Sequence, residues 1–173
     1  APLVLRNTFP LQPNSRLDRP TGTEPPGFIW FSQTVGPGRC LEPFLDAWAQ
    51  TKQPSTVNLL GDARPGYREE LLARLPSSRR AALRFLPLVS PAELPGKLAE
   101  FDLGLALESR QPRNHNLTIS NKILQYLNAG LAVIATDTAG QGEVMRAAPG
   151  CGLLLDTSPA RAGAARLDAL VGD

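Results

Sequence analysis

Asn114-His115-Asn116-Leu117-Thr118-Ile119-Ser120-Asn121-Lys122-Ile123-Leu124-Gln125-Tyr126-Leu127-Asn128-Ala129-Gly130-Leu131-Ala132-Val133-Ile134-Ala135-Thr136 reads as a polar loop, a helix, a glycine stop and a buried strand. Ser120 is a natural N-cap, because its hydroxyl can accept a first-turn backbone N–H. Lys122 then falls within that first turn, where a cation opposes the helix dipole. A lysine beside a row of free N–H groups makes chemical sense if an anion docks there.

Outward from this junction the chain alternates strand and helix. Strands are predicted at 28–33, 56–60, 83–88, 103–107, 132–135 and 152–155. Helices are predicted at about 40–51, 67–75, 93–100, 121–128, 143–147 and 160–170. Pro43 and Pro95 each fit only a first helical turn, which fixes those helix starts. Pro87 predicts that the end of its strand leaves the ladder. The strands are short apolar runs without alternation, as expected where both faces are covered. The expected fold class is therefore α/β: a Rossmann-like three-layer α/β/α domain on a parallel sheet of about six strands. Right-handed crossovers collect the strand-to-helix loops at one sheet edge, where ligands bind. Two loops stand out there, 33–39 and 108–120. A short strand is conceivable at Val4-Leu5, but residues 1–27 are proline-dense and read as a linker or surface arm; the domain proper is 28–173.

Composition excludes more than it assigns. The 173 residues suit one domain, and a net charge of +2 does not suit a protein that coats nucleic acid. No apolar run is long enough for stable membrane insertion. Two cysteines, Cys40 and Cys151, lie far apart without metal spacing, which fits reduced thiols in a cytoplasmic protein. One histidine and two scattered cysteines make no zinc site. The chain begins Ala1-Pro2-Leu3 without methionine, as an excised domain would.

The chemistry concentrates at two helix entries. Gly36-Pro37-Gly38-Arg39 is a glycine-bearing turn ending in a cation. Taken alone, Arg39 reads as a solvated arginine. Paired with Ser120-Asn121-Lys122 on the same sheet edge, it suggests a diphosphate cradle. Neither a Walker loop nor a Gly-x-Gly-x-x-Gly fingerprint is present. Gln125 lies one turn into the helix, where its amide reaches either sugar hydroxyls or solvent. His115 sits in a polar loop with Arg113, Asn114 and Asn116; it is a ligand contact or simply exposed. Glu143, after the expected turn 138–142, reads equally as helix-terminal charge or sugar contact. No nucleophile elbow or Ser/His/Asp set appears, so the chain looks like a nucleotide-binding half rather than a self-sufficient catalyst.

The segment from Ser120 through Asp137 resembles the donor-site segment of retaining GT-B glycosyltransferases of the family 4 type, the group 1 glycosyl transferases. The common wording there is Pro-Asn-Lys-Leu-Phe-Glu-Tyr-x-Ala-Ala-Gly-x-Pro-Val-Ile-Ala. The run from Trp30 to Glu42 is similar to the family's first strand, loop and helix, and residues 86–107 to its base-pocket segment. The likeness covers about residues 28–170. It implies that Arg39, Ser120, Asn121 and Lys122 bind a donor diphosphate, that Gln125 holds the ribose, and that Leu88 and Val89 line the base pocket. His115, Asn116 and Glu143 are candidate sugar contacts; no catalytic residue is assigned. Residues 1–27 would be the crossover from an N-terminal acceptor-binding domain of the same full-length protein.

The implied function is the donor-binding half of a transferase that moves a sugar from a nucleotide-diphosphate sugar to an acceptor, with retention, in bacterial cell-surface polysaccharide or glycan synthesis. The isolated domain would be inactive alone. No metal or other cofactor is implied, because helix termini and basic side chains neutralise the leaving diphosphate. The implied location is cytoplasmic, with peripheral attachment to the inner membrane face through the other domain. The chain departs from the pattern at Gln125, where glutamate is usual, and at Leu117, where a second glutamate is usual. Cys40 stands in a glycine position, and Ser32 and Gln33 occupy the region of a further basic residue. The alternative function is a non-catalytic Rossmann-like nucleotide-binding or interaction module.

Overall fold

The computed structural model describes residues 7–11 and 25–172. The expected strand at Val4-Leu5, the rest of residues 1–6, residues 12–24 of the arm and Asp173 lie outside them. Six strands form one sheet: β1 (Gly27–Val35), β2 (Thr56–Ala63), β3 (Leu83–Leu86), β4 (Leu103–Ala106), β5 (Ala132–Thr136) and β6 (Gly152–Leu155). Their order is β3-β2-β1-β4-β5-β6 and every pairing is parallel. This is the doubly wound arrangement foreseen from the alternation, and it reverses direction between β1 and β4. That switch point is where such sheets open a crevice at their carboxyl edge.

Helices α1 (Leu41–Trp48), α2 (Tyr67–Ala73), α3 (Ser77–Arg80), α4 (Leu94–Leu98), α5 (Arg113–Leu117), α6 (Asn121–Asn128), α7 (Ala139–Ala147) and α8 (Ala160–Gly172) fill the connections. Two buried clusters show the layering. Phe28, Trp30, Leu41, Phe44, Trp48, Leu71 and Leu167 pack α1, α2 and α8 on one sheet face. Ile29, Leu98, Ile123, Tyr126, Val133 and Met145 pack α4, α6 and α7 on the other. Each such side chain contributes roughly 1.5–3 kcal/mol through burial, offset by the entropy of ordering it.

Two glycines set the geometry near the switch point. Gly61 has φ 141°, and a Cβ there would press into the Ser32 carbonyl of β1. Its position matches the register shift between Phe31 and Thr34, where β1 bulges against β2. Gly104 lets α6 approach the sheet, because an added Cβ would meet the Tyr126 ring at 2.2 Å. Tyr126 is fully buried, donates its hydroxyl to the Leu105 carbonyl at 3.3 Å, and meets Phe31 edge-on at 5.5 Å between centroids. The start of α6 is thus held from below by a ring that only glycine admits.

The structure differs from the sequence expectation in a few places. β3 stops at Leu86, so Pro87 and Leu88 lie outside the ladder. The helix expected from Glu143 begins at Ala139, one turn earlier. Gly140 and Gly142 argue against a helix by about 1 kcal/mol each. Tertiary caps override them: Thr138 Oγ1 accepts the Gln141 N–H at 3.3 Å, and Asn116 Oδ1 accepts the Ala139 N–H at 3.0 Å. The loop 108–120 contains the short helix α5, and α3 follows Pro76; the sequence reading had neither.

Candidate functional site

A cavity of about 600 Å³ opens at the switch point, between the end of β1, the start of α6 and the segment after β3. α6 supplies its polar end. Ser120 is buried and its Oγ accepts the Lys122 backbone N–H at 3.4 Å, the N-cap that the sequence predicts. Ile123 and Tyr126 anchor the helix in the core, which turns Asn121, Lys122 and Gln125 toward the cavity. Leu88, Val89, Pro91 and Leu94 form the apolar end. Phe31, Ser32, Gln33 and Leu60 complete the strand side.

Lys122 is the electrostatic centre. Its Nζ lies 5.5 Å from the Trp30 ring centroid and 5.9 Å from that of Phe31. Burial pushes its ammonium below the ordinary lysine range; the nearby Glu108 carboxylate opposes that shift and the Arg39 guanidinium adds to it. A cation held on two aromatic faces, partly desolvated and close to a second cation, is poised for an anion. Arg39 itself is exposed at the entry to α1 and does not line this cavity, but its charge reaches Lys122.

The sequence-predicted residues therefore divide. Ser120, Asn121, Lys122, Gln125, Leu88 and Val89 share one cavity. His115 is half-buried in α5, Asn116 caps α7, and Glu143 is exposed in the second turn of α7. None of these three lines this cavity. The Gln125 carbonyl accepts the Ala129 N–H at 2.9 Å, while its side-chain amide has no hydrogen-bond partner among the described residues and faces the site.

Glu108 and Asn7 are among the lining residues that escaped the sequence reading. Glu108, the second residue past β4, lines both this cavity and another one of about 260 Å³ formed with Cys40, Arg110, Asp137 and Thr157. Its backbone is fixed by Thr136, whose Oγ1 accepts the Glu108 N–H at 2.8 Å and donates to the Glu108 carbonyl at 2.7 Å. The carboxyl end of a parallel strand was the available signal. Asn7 also lines the main cavity, from the proline-dense arm that offered no pattern to read. Cys40 adopts φ 56° at the head of α1, the left-handed conformation that suits the glycine usual there. Burial raises its thiol, and Glu108 and Glu42 raise it further, so it is no activated nucleophile.

Among the described residues no group of three His, Cys, Asp or Glu side chains stands together to hold a metal ion. No described helix is long and apolar enough to cross a membrane.

Comparison with curated protein sequences gives no match. Among solved structures, HepE from Anabaena in complex with UDP and glucose is 20% identical, with a TM-score of 0.62, over 85% of this chain and 38% of that one. The C-terminal domain of the glycosyl transferase group 1 protein LpcC from Francisella tularensis is 21% identical, with a TM-score of 0.61, over 86% and 76% of the two chains. WaaG, a glycosyltransferase involved in lipopolysaccharide biosynthesis, is 18% identical, with a TM-score of 0.61, over 87% and 39%. The chain thus spans well under half the length of HepE and WaaG, and the likeness is one of Rossmann-like fold. A family model described as glycosyl transferases group 1 matches residues 26–173, nearly the whole described domain. The chain belongs to the glycosyl transferases group 1 family.

Proposed function

We propose that this chain is the donor-binding half of a retaining glycosyltransferase that transfers a sugar from a nucleotide-diphosphate sugar to an acceptor. The observation that carries the reading is the cavity at the head of α6, where the Lys122 side chain sits at the Ser120-capped helix start and an apolar floor follows. A nucleoside fits the floor of Leu88, Val89 and Leu94, and a diphosphate fits the cationic end. In the transfer step the leaving diphosphate gains negative charge. Lys122 and the first-turn α6 amides would stabilise that charge as it develops, without a metal, and Arg39 would add its charge from outside the cavity.

The neighbours support this choice of ligand: HepE is known with UDP-glucose, and WaaG acts in lipopolysaccharide biosynthesis. We place the acceptor site on an N-terminal domain of the same full-length protein, and the pathway in bacterial cell-surface polysaccharide or glycan synthesis. The enzyme would work in the cytoplasm, at the inner membrane face. His115, Asn116 and Glu143 lie off the cavity; any sugar contact from them would need the donor to extend along the sheet edge.

The test is a titration of the chain with UDP, GDP and ADP followed by backbone amide NMR. One nucleotide should shift Asn121, Lys122 and Arg39. No shift at millimolar concentration with any of the three sinks the donor-site reading. A second reading, a non-catalytic module, is motivated by Gln125, which offers one acceptor oxygen where a carboxylate offers two. It predicts no transfer by the full-length protein and no gain from Gln125→Glu.

A further inference from the structure

Asn7 forms part of one wall of the cavity, and Phe9 and Pro10 line a neighbouring one. Asn7 Nδ2 donates to Asn121 Oδ1 at 2.7 Å, and Asn128 Nδ2 donates to the Pro10 carbonyl at 2.8 Å. The two contacts agree in length. From Asn121 to Asn128 the helix rises about 10 Å, and three residues of extended chain cover about 10 Å. The arm therefore runs alongside α6 in the same direction. Asn121, Gln125 and Asn128 follow the spacing of one helix face, so the arm lies along a polar stripe. Half-buried Phe9 packs at a second cavity of about 390 Å³ with Pro91, Leu94 and Leu98, and Gln125 lines this cavity as well as the first.

Asn7 and Gln125 thus border the same cavity from different segments. A vicinal diol donates two hydroxyl protons and needs two acceptors. A glutamate at 125 could supply both; Gln125 supplies one oxygen and an NH₂. Asn7 spends its NH₂ on Asn121, which leaves Oδ1 to accept. We propose that Asn7 Oδ1 and Gln125 Oε1 together hold the ribose 2′- and 3′-hydroxyls of the nucleotide. The arm then supplies the acceptor that the amide at 125 lacks. This rests on the nucleotide-sugar reading of the site.

The experiment is a ligand–protein double-mutant cycle on the whole chain. Calorimetry measures UDP, 2′-deoxy-UDP and 3′-deoxy-UDP binding to the parent and to Asn7→Ala. The parent should lose about three- to tenfold in affinity for each missing hydroxyl, the worth of one hydrogen bond. Asn7→Ala should lose a similar factor for UDP and then show no further loss with one of the two deoxy analogues. Two results overturn the assignment while UDP still binds: unchanged UDP affinity in Asn7→Ala, or both deoxy penalties retained in full. The second is also the signature of an arm that merely braces the helix. If UDP, GDP and ADP all fail to bind the parent, the site reading fails as well.

Discussion

Lys122 Nζ stands 5.5 Å from the centroid of the Trp30 indole, so the cation of the proposed diphosphate site rests on the aromatic end of β1. Two elements that meet only at the switch point are joined there by a charge on a ring. Lys122→Met should keep the stem packing and remove the charge. Nucleoside diphosphate affinity should fall at least tenfold, since a charge-assisted hydrogen bond contributes about 1.5–3 kcal/mol. Thermal stability should hold or rise, because the partly desolvated ammonium is a cost to the folded state. Calorimetric titration beside a melting curve checks both directions.

The pH response follows from the same residue. The folded pKa of Lys122 lies below the ordinary 10.5, chiefly through burial. Between the folded value and 10.5 the unfolded chain binds more protons, so this group's contribution to stability improves as pH rises through that window. Its unfavourable contribution is complete below the folded pKa. Diphosphate binding favours the ammonium, so affinity should be flat below the folded pKa and fall as pH rises through it. Proton uptake on binding, measured in buffers of different ionisation enthalpy, should appear in the parent over that range and vanish in Lys122→Met.

Gly104→Ala tests the seating of α6. The new methyl would meet the Tyr126 ring at 2.2 Å, and neither the strand nor the buried ring has room to yield. Overpacking of this kind costs about 1–3 kcal/mol. Urea unfolding should show that loss, and nucleotide affinity should drop with it because the ring carries the helix start. Tyr126→Phe should lose the bond to the Leu105 carbonyl, about 1 kcal/mol, together with the polar contact to the Phe31 backbone, and keep the site.

Thr136→Val probes the wall between the two cavities. Besides its two bonds to the Glu108 backbone, the Thr136 hydroxyl accepts from Gln141 Nε2 at 3.1 Å. One proton and two lone pairs are then all in use. Valine keeps the shape and leaves those partners wanting, at about 1–3 kcal/mol for each one orphaned. Thr136→Ser should recover most of the stability. Chemical denaturation of the three proteins gives the ranking.

The parts of the fold legible in the sequence are those with local causes. Ala132–Ala135 is apolar on both faces behind a glycine stop, and Pro43 and Pro95 each pin a helix start; β5, α1 and α4 follow. The junction at Ser120 was readable for the same reason, since the cap lies within its own turn. What was hidden depends on distant chain. The first turn of α7 is held by Asn116, which reaches Ala139 across 23 residues, as well as by the local Thr138 cap. Glu108 gains its place through Thr136, and Asn7 reaches Asn121 from a proline-dense arm. No pattern within either segment encodes those meetings.

The seam in the sheet has a mechanical consequence. β1 and β4 are joined by only two register pairs, Phe28 with Leu103 and Ile29 with Gly104. Each flanking half holds together through longer ladders. The crevice is lined by Phe31 and Ser32 on one half and by Ser120 and Lys122 on the other. A ligand bound there would act as a clasp across the join. Binding should therefore slow amide exchange at the ends of both central strands, as the two half-sheets are buttoned together by the molecule they hold.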